Sequence, residues 1–194
     1  MNFIATYMME ASQICNTIDL KQIEQLVEHI EQTKKLKGRM FILGVGGSAG
    51  NASHMVNDLR KLCDIESYAP TDNVSELTAR TNDEGFDTIF VEYLKNCRFT
   101  CCDTIFILSV GGGDKEKNVS VNLIKAIEYV KEKEGTVLGI VGKPDGYTAL
   151  NADAVVVVPS PNPDRITPHS ESFQSVIWHC IVSHPLIKVN KTKW

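Results

Sequence analysis

The chain has 194 residues, 43% hydrophobic and 23% charged, with a formal net charge of -4. That size and composition suit one globular domain with a sizeable core, and the mildly acidic balance leaves no basic footprint for nucleic acid. No stretch is apolar and long enough to span a membrane, and residues 1–7 lack the basic-then-apolar order of a signal peptide, so the cytoplasm is the expected compartment.

In chain order, Ile4, Met8, Ala11 and Ile14, then Leu20, Ile23, Leu26, Val27 and Ile30, recur at helical spacing and predict two helices up to about residue 36. Asp19 and Glu24 mark the start of the second. A helical pair ahead of a sheet needs a surface to pack on: it covers the sheet or forms an oligomer interface. From residue 37 onward short apolar runs alternate with amphipathic stretches. Strands are predicted at residues 40–43, 65–69, 104–108, 136–141 and 154–158. Between and after them fall helices at about 48–62, a pair within 75–95, 118–133, a short one near Tyr147 and a last one from 170 to 182. Such alternation means a single α/β domain: a three-layer sandwich with a five-stranded, doubly wound parallel sheet and two N-terminal helices. The six cysteines, Cys15, Cys63, Cys97, Cys101, Cys102 and Cys180, lack paired Cys-x-x-Cys spacing and read as reduced thiols, several of them in the core.

In this architecture ligands sit at the carboxyl ends of the strands. Two glycine-rich loops follow predicted strands there, residues 44–48 and 109–114. Gly46, Gly47 and Ser48 in the first, and Ser109, Gly111 and Gly112 in the second, offer backbone N–H groups and hydroxyls to a phosphate. The first loop also fits the loose dinucleotide fingerprint, but no acidic residue ends the next strand to hold a ribose, and no nucleotide cofactor is expected. His54 and Asp58 lie four apart on one predicted helix, and Glu171 and His179 eight apart on another, so each pair shares a face. If the helices meet, these four make a site for a divalent metal such as zinc. His169 and His184 flank the last helix beside Pro168 and Pro185 and are expected to cap or end it.

With these residues in view, the chain resembles the sugar isomerase (SIS) domain family, and within it the phosphoheptose isomerases. The turn Gly44-Val45-Gly46-Gly47-Ser48 with His54 and Asp58 resembles the family's Gly-Asn-Gly-Gly-Ser turn and His-x-x-x-Glu helix. Residues 75–86 are similar to its Ser-x-Leu-Thr-Ala-x-x-Asn-Asp-x-Gly-Phe segment, which adds Asp83 as a substrate contact. The resemblance implies a homotetramer with active sites between subunits. It also implies isomerisation of sedoheptulose 7-phosphate to a heptose 7-phosphate through an enediol, with Asp58 moving the carbon-bound proton and His179 as the paired acid-base group. Three departures stand out: Val45 replaces an Asn, Asp58 is one methylene shorter than Glu, and the second loop carries Asp114, Lys115, Glu116 and Lys117 in place of two hydroxyls. These leave room for a six-carbon amino-sugar phosphate as substrate, or for a non-catalytic phosphosugar-binding or adaptor module.

Overall fold

The computed structural model describes residues 2–192. Two helices lead, α1 (Phe3–Thr17) and α2 (Leu20–Lys35). The Asn2 carbonyl side chain caps the first through the Ala5 N–H at 2.8 Å, and the Asp19 carboxylate caps the second through the Lys21 N–H at 2.9 Å. Then follow β1 (Met40–Gly44), α3 (Gly47–Cys63), β2 (Ser67–Tyr68), α4 (Val74–Asp83), α5 (Ile89–Asn96) and β3 (Thr104–Ser109). The chain finishes with α6 (Val121–Glu132), β4 (Thr136–Val141), α7 (Tyr147–Asn151), β5 (Ala154–Val157) and α8 (Ile166–Ser183).

All strands pair in parallel in the order β2-β1-β3-β4-β5. Strand residues alternate between two cores. Ile42, Phe106, Leu138 and Val156 face α2, α3 and α8 through Leu26, Ile30, Leu59, Phe173 and Trp178. Phe41, Ile105, Ile107 and Val137 face α5 and α6 through Phe90, Leu94, Leu123 and Ile127. Burial on both faces is why these strands read as unbroken apolar runs.

Several boundaries differ from the sequence expectation, each for a local reason. Only two residues of the stretch 65–69 pair, because β2 lies at the sheet edge with β1 as its one neighbour. The helix expected from 118 begins at Val121, since Asp114 and Val119 pair with each other across a small hairpin. The last helix starts at Ile166 rather than Ser170, because Pro168 falls in its first turn, where a missing N–H costs nothing. His169 is therefore no cap. It is buried within α8, its Nε2 3.0 Å from Glu10 Oε2 and its ring stacked on Tyr7 at 4.4 Å. His184 does end α8, its Nδ1 accepting from the Leu186 N–H at 3.3 Å. All six cysteines are free thiols, but Cys63 alone is fully buried, its thiol pushed up to about 11 by desolvation.

Two buried carboxylates tie distant segments together. Glu10 accepts from Arg165 Nη2 at 2.6 Å and Nε at 2.8 Å and from Asn162 at 3.1 Å, which fastens α1 to the start of α8. Asp103 accepts from the Arg39 N–H at 2.8 Å, the Arg39 guanidinium at 2.7 Å and the Thr100 N–H at 2.8 Å, which aligns the starts of β1 and β3. The Arg165 guanidinium and then His169 hold the Glu10 carboxyl far below the usual range. Burial pushes Asp103 up, but donation from Arg39 and Thr100 outweighs it and leaves that carboxyl lowered.

Because folding lowers both pKa values, the unfolded chain binds more protons in acid, and stability there rises with pH. The contribution is complete above the ordinary carboxylate pKa of about 4 and drains away as pH falls below it. The melting temperature is expected to drop between about pH 5 and pH 3. The drop should be smaller in a Glu10→Gln/Asp103→Asn variant measured by calorimetry; parallel curves for the two proteins would refute the assignment.

Candidate active site

The crossovers leaving β1 and β3 run in opposite directions along the sheet, so a crevice opens beyond the carboxyl ends of these two neighbours. Gly46 turns the chain from β1 into α3 at φ 64°, ψ -128°, a region open to glycine only. The N-terminus of α3 then points into the crevice, with Ser48 buried in its first turn. Two turns on, α3 presents His54 and Asp58.

Helix α8 packs along α3 and brings His179 to them. Asp58 Oδ2 lies 3.9 Å from His54 Nε2 and 3.8 Å from His179 Nε2, and ligand atoms of the three residues all fall within 4.8 Å of one another. The two imidazoles are accessible, with side chains 57% and 49% exposed, whereas Asp58 is 13% exposed between them. His179 Nδ1 lies 2.7 Å from the Ser175 carbonyl. A carbonyl only accepts, so Nδ1 carries the proton and Nε2 is the nitrogen offered to the cluster. Beneath, the buried Trp178 ring meets His54 edge-on at 4.7 Å.

The structure thus brings together three of the four expected metal-binding residues and places the fourth elsewhere. The Glu171 carboxylate packs against Gly47, where an added Cβ would stand 2.6 Å from Oε2 and 2.7 Å from Cδ. This is the N-terminal end of α3, where the helix dipole favours a negative charge. The Glu171 carboxylate sits at that position, and a side chain at residue 47 would make it shift.

The second loop is also arranged differently from the expectation. Ser109 Oγ accepts from the Gly112 N–H at 2.9 Å, and the Gly112 carbonyl accepts from Thr148 N–H at 2.9 Å and Thr148 Oγ1 at 2.7 Å. The Gly112 N–H and carbonyl are therefore spent inside the turn, Ser109 keeps only its hydroxyl proton to offer, and Gly111 borders a separate cavity of about 110 Å³ beside Lys143 and Gly146. The extra charges neutralise one another: Lys117 pairs with Asp114 at 2.8 Å, and Lys115 with Glu128 across the Tyr147 ring.

A cavity of about 460 Å³ lies instead between Val45, Phe86 and Asp87 on one side and Asn118, Ser120, Val121 and Asn122 on the other. Asp83 does not line it; that residue is exposed at the end of α4, accepting from its neighbour Asn82 at 2.7 Å. Asp87 takes its place on the wall, paired with Lys125 of α6. The α6 N-terminus opens here without a side-chain cap from Ser120. Asn122 is 1% exposed, and its Nδ2 has no hydrogen-bond partner among the described residues. The Leu123 N–H is taken by Asn122 Oδ1 at 2.9 Å and the Ser120 carbonyl at 3.0 Å, which leaves the first N–H groups of α6 and the buried Asn122 Nδ2 to meet an anion. Sequence reasoning missed Ser120 and Asn122; the available signal was a Ser two residues before an Asn at the head of an apolar-periodic run.

Replacing Gly47 by Ala is expected to swing the Glu171 carboxylate away from α3 at a cost on the order of 1 kcal/mol. In a Glu171→Ala background the same change should cost nothing, and a double-mutant cycle by urea unfolding reads the difference. Equal costs in both backgrounds would show that the carboxylate does not set the residue at position 47.

Comparison with known proteins gives a consistent picture. The SIS domain family model matches residues 6–142. The lincomycin biosynthesis protein LmbN of Streptomyces lincolnensis is 31% identical over 154 residues, which cover 76% of this chain and 56% of that one, so the chain spans little more than half of that relative. The phosphoheptose isomerase of Sulfurimonas denitrificans is 34% identical over 171 residues, covering 79% of this chain and 84% of its own. In structure, phosphoheptose isomerase GmhA from Neisseria gonorrhoeae superposes with a TM-score of 0.79 at 24% identity, over 93% of this chain and 96% of the other, a likeness of fold.

Proposed function

The chain belongs to the SIS domain family, and from that membership we propose that it is a phosphosugar isomerase interconverting an aldose and a ketose phosphate. The substrate in this reading is sedoheptulose 7-phosphate, taken to a heptose 7-phosphate for surface-polysaccharide synthesis. The observation that carries it is the meeting of His54, Asp58 and His179 from two helices. Isomerisation through an enediol needs one group to move a proton between adjacent carbons and another to exchange protons on the oxygens. Asp58, partly screened between two imidazoles, is the carbon base. His179 is the acid-base group on oxygen, with its reactive Nε2 defined by the Nδ1 bond to Ser175.

The phosphate is held at the α6 N-terminus by backbone amides, Ser120 and the Asn122 amide. Along α3, Gly47 and His54 are separated by seven residues, about 10 Å of helix rise. In this reading the sugar reaches from its phosphate at the α6 N-terminus toward the acid-base residues of α3 and α8.

His54, Asp58 and His179 form a donor set suited to zinc: the two imidazoles lie 3.8–3.9 Å from Asp58, about half an ångström wider than the ligand separations of a tetrahedral zinc, and all three ligand atoms fall within 4.8 Å of one another. These three residues, joined by Glu171 if it leaves Gly47, would hold the ion, which when bound supplies electrostatic stabilisation to the enediolate oxygen. A cation also makes Asp58 a weaker base, so the two duties compete.

Phe3, Ile4, Met8 and Met9 are exposed apolar side chains of α1, and in this reading the helix packs on other subunits of a homotetramer with sites between subunits. Among the described residues no helix is long and apolar enough to cross a membrane.

Purified protein incubated with sedoheptulose 7-phosphate is expected to produce the aldose phosphate, followed by NMR. Asp58→Asn and His179→Ala should each lower turnover by a factor of about 100 or more with the melting temperature unchanged. Absence of turnover both with and without Zn²⁺ overturns the reading, and full activity in either variant overturns the assigned roles.

A further inference from the structure

Asn51 lies one turn before His54 on α3 and spends its whole amide on α8. Its Nδ2 donates to the Glu171 carbonyl at 2.9 Å and to Gln174 Oε1 at 3.0 Å, and its Oδ1 accepts from Ser175 Oγ at 2.8 Å. The amide orientation is not interchangeable, because the Glu171 carbonyl can only accept and must meet the NH₂. The three partners stand at i, i+3 and i+4, one continuous face of α8, and Gln174 is wholly buried. Ser175 is also the residue whose carbonyl orients His179, one turn further along.

The structure assigns Asn51 as a positioning residue: its amide sets the axial register of α8 on α3 and thereby the distance between His179 and Asp58. The apolar residues the two helices share in one core, Met55, Leu59, Phe173 and Ile177, are attracted without directional preference and fix the register less sharply than polar contacts do. A slide of one residue moves His179 by about 1.5 Å relative to Asp58, and misplacement on the order of 1 Å can cost a hundredfold in rate. The clamp sits two turns from Asp58 on α3 and one turn from His179 on α8, so its error is carried to the imidazole almost undiminished.

The role in turnover rests on the isomerase reading, and the test separates the two. Asn51→Ala and Ser175→Ala are expected to lower kcat for sedoheptulose 7-phosphate by about 10- to 100-fold, with KM within a factor of about two. The double variant should be no slower than the worse single one, and Ser175→Thr, which keeps the hydroxyl, should restore kcat. A folded Asn51→Ala variant with kcat within twofold of the parent overturns the proposal.

If the parent protein shows no turnover, the isomerase reading fails and spectroscopy decides the positioning claim alone. Nuclear Overhauser contacts between the His54 and His179 rings, whose centroids lie 5.3 Å apart, should weaken or vanish in Asn51→Ala and Ser175→Ala and keep parent intensity in Ser175→Thr. Unchanged ring contacts in Asn51→Ala overturn it.

Discussion

The packing of α3 against α8 is the constraint on which the site depends. The two helices are separated by more than a hundred residues of chain, and they meet because both cover the same face of the sheet, over Ile42, Phe106 and Leu108. Hydrophobic burial supplies the force that brings them together. It does not specify how far along each other they lie, and that detail falls to polar contacts: Asn51 across to residues 171, 174 and 175, and the Glu171 carboxylate against Gly47. Force and precision come from different interactions, and the reactive triad inherits both.

Charges remote from the triad serve the same end. Glu10 and Asp103 each gather an arginine and further donors in a buried position. A buried carboxylate is tolerated only when its lone pairs are satisfied, so each network accepts one geometry. Glu10 fixes where the chain enters α8, and Asp103 fixes the starts of the two strands that flank the crevice.

Much of this was legible in the sequence. Unbroken apolar runs at 104–108 and 136–141 mark strands buried on both faces, and the alternation with amphipathic segments dictates a parallel sheet. The i, i+4 spacing of His54 and Asp58 and the eight-residue separation of Glu171 and His179 suggest shared helix faces, and the structure brings His54, Asp58 and His179 together. Periodicity is blind to rotamers, however, and Glu171 turns to the α3 N-terminus instead of joining the triad. The second loop misled for a related reason: Ser109 and Gly112 are the right residue types for phosphate, but their mutual hydrogen bond is a tertiary fact. His169 beside Pro168 looked like a helix boundary, because its partner Glu10 lies 159 residues away and only the fold brings them together.

The hairpin at residues 114–119 is closed by its own pair of backbone hydrogen bonds, Asp114 N–H to Val119 carbonyl at 2.9 Å and the return bond at 3.0 Å. Lys115 and Lys117 answer to Glu128 and Asp114, while Asn118 and the adjoining Ser120 line the crevice cavity. Lengthening a loop whose ends are already clamped adds little closure entropy, since the penalty grows only logarithmically. Peptide grafted at the charged tip, residues 115–117, would therefore leave the bonded ends, and with them one wall of the cavity, in register.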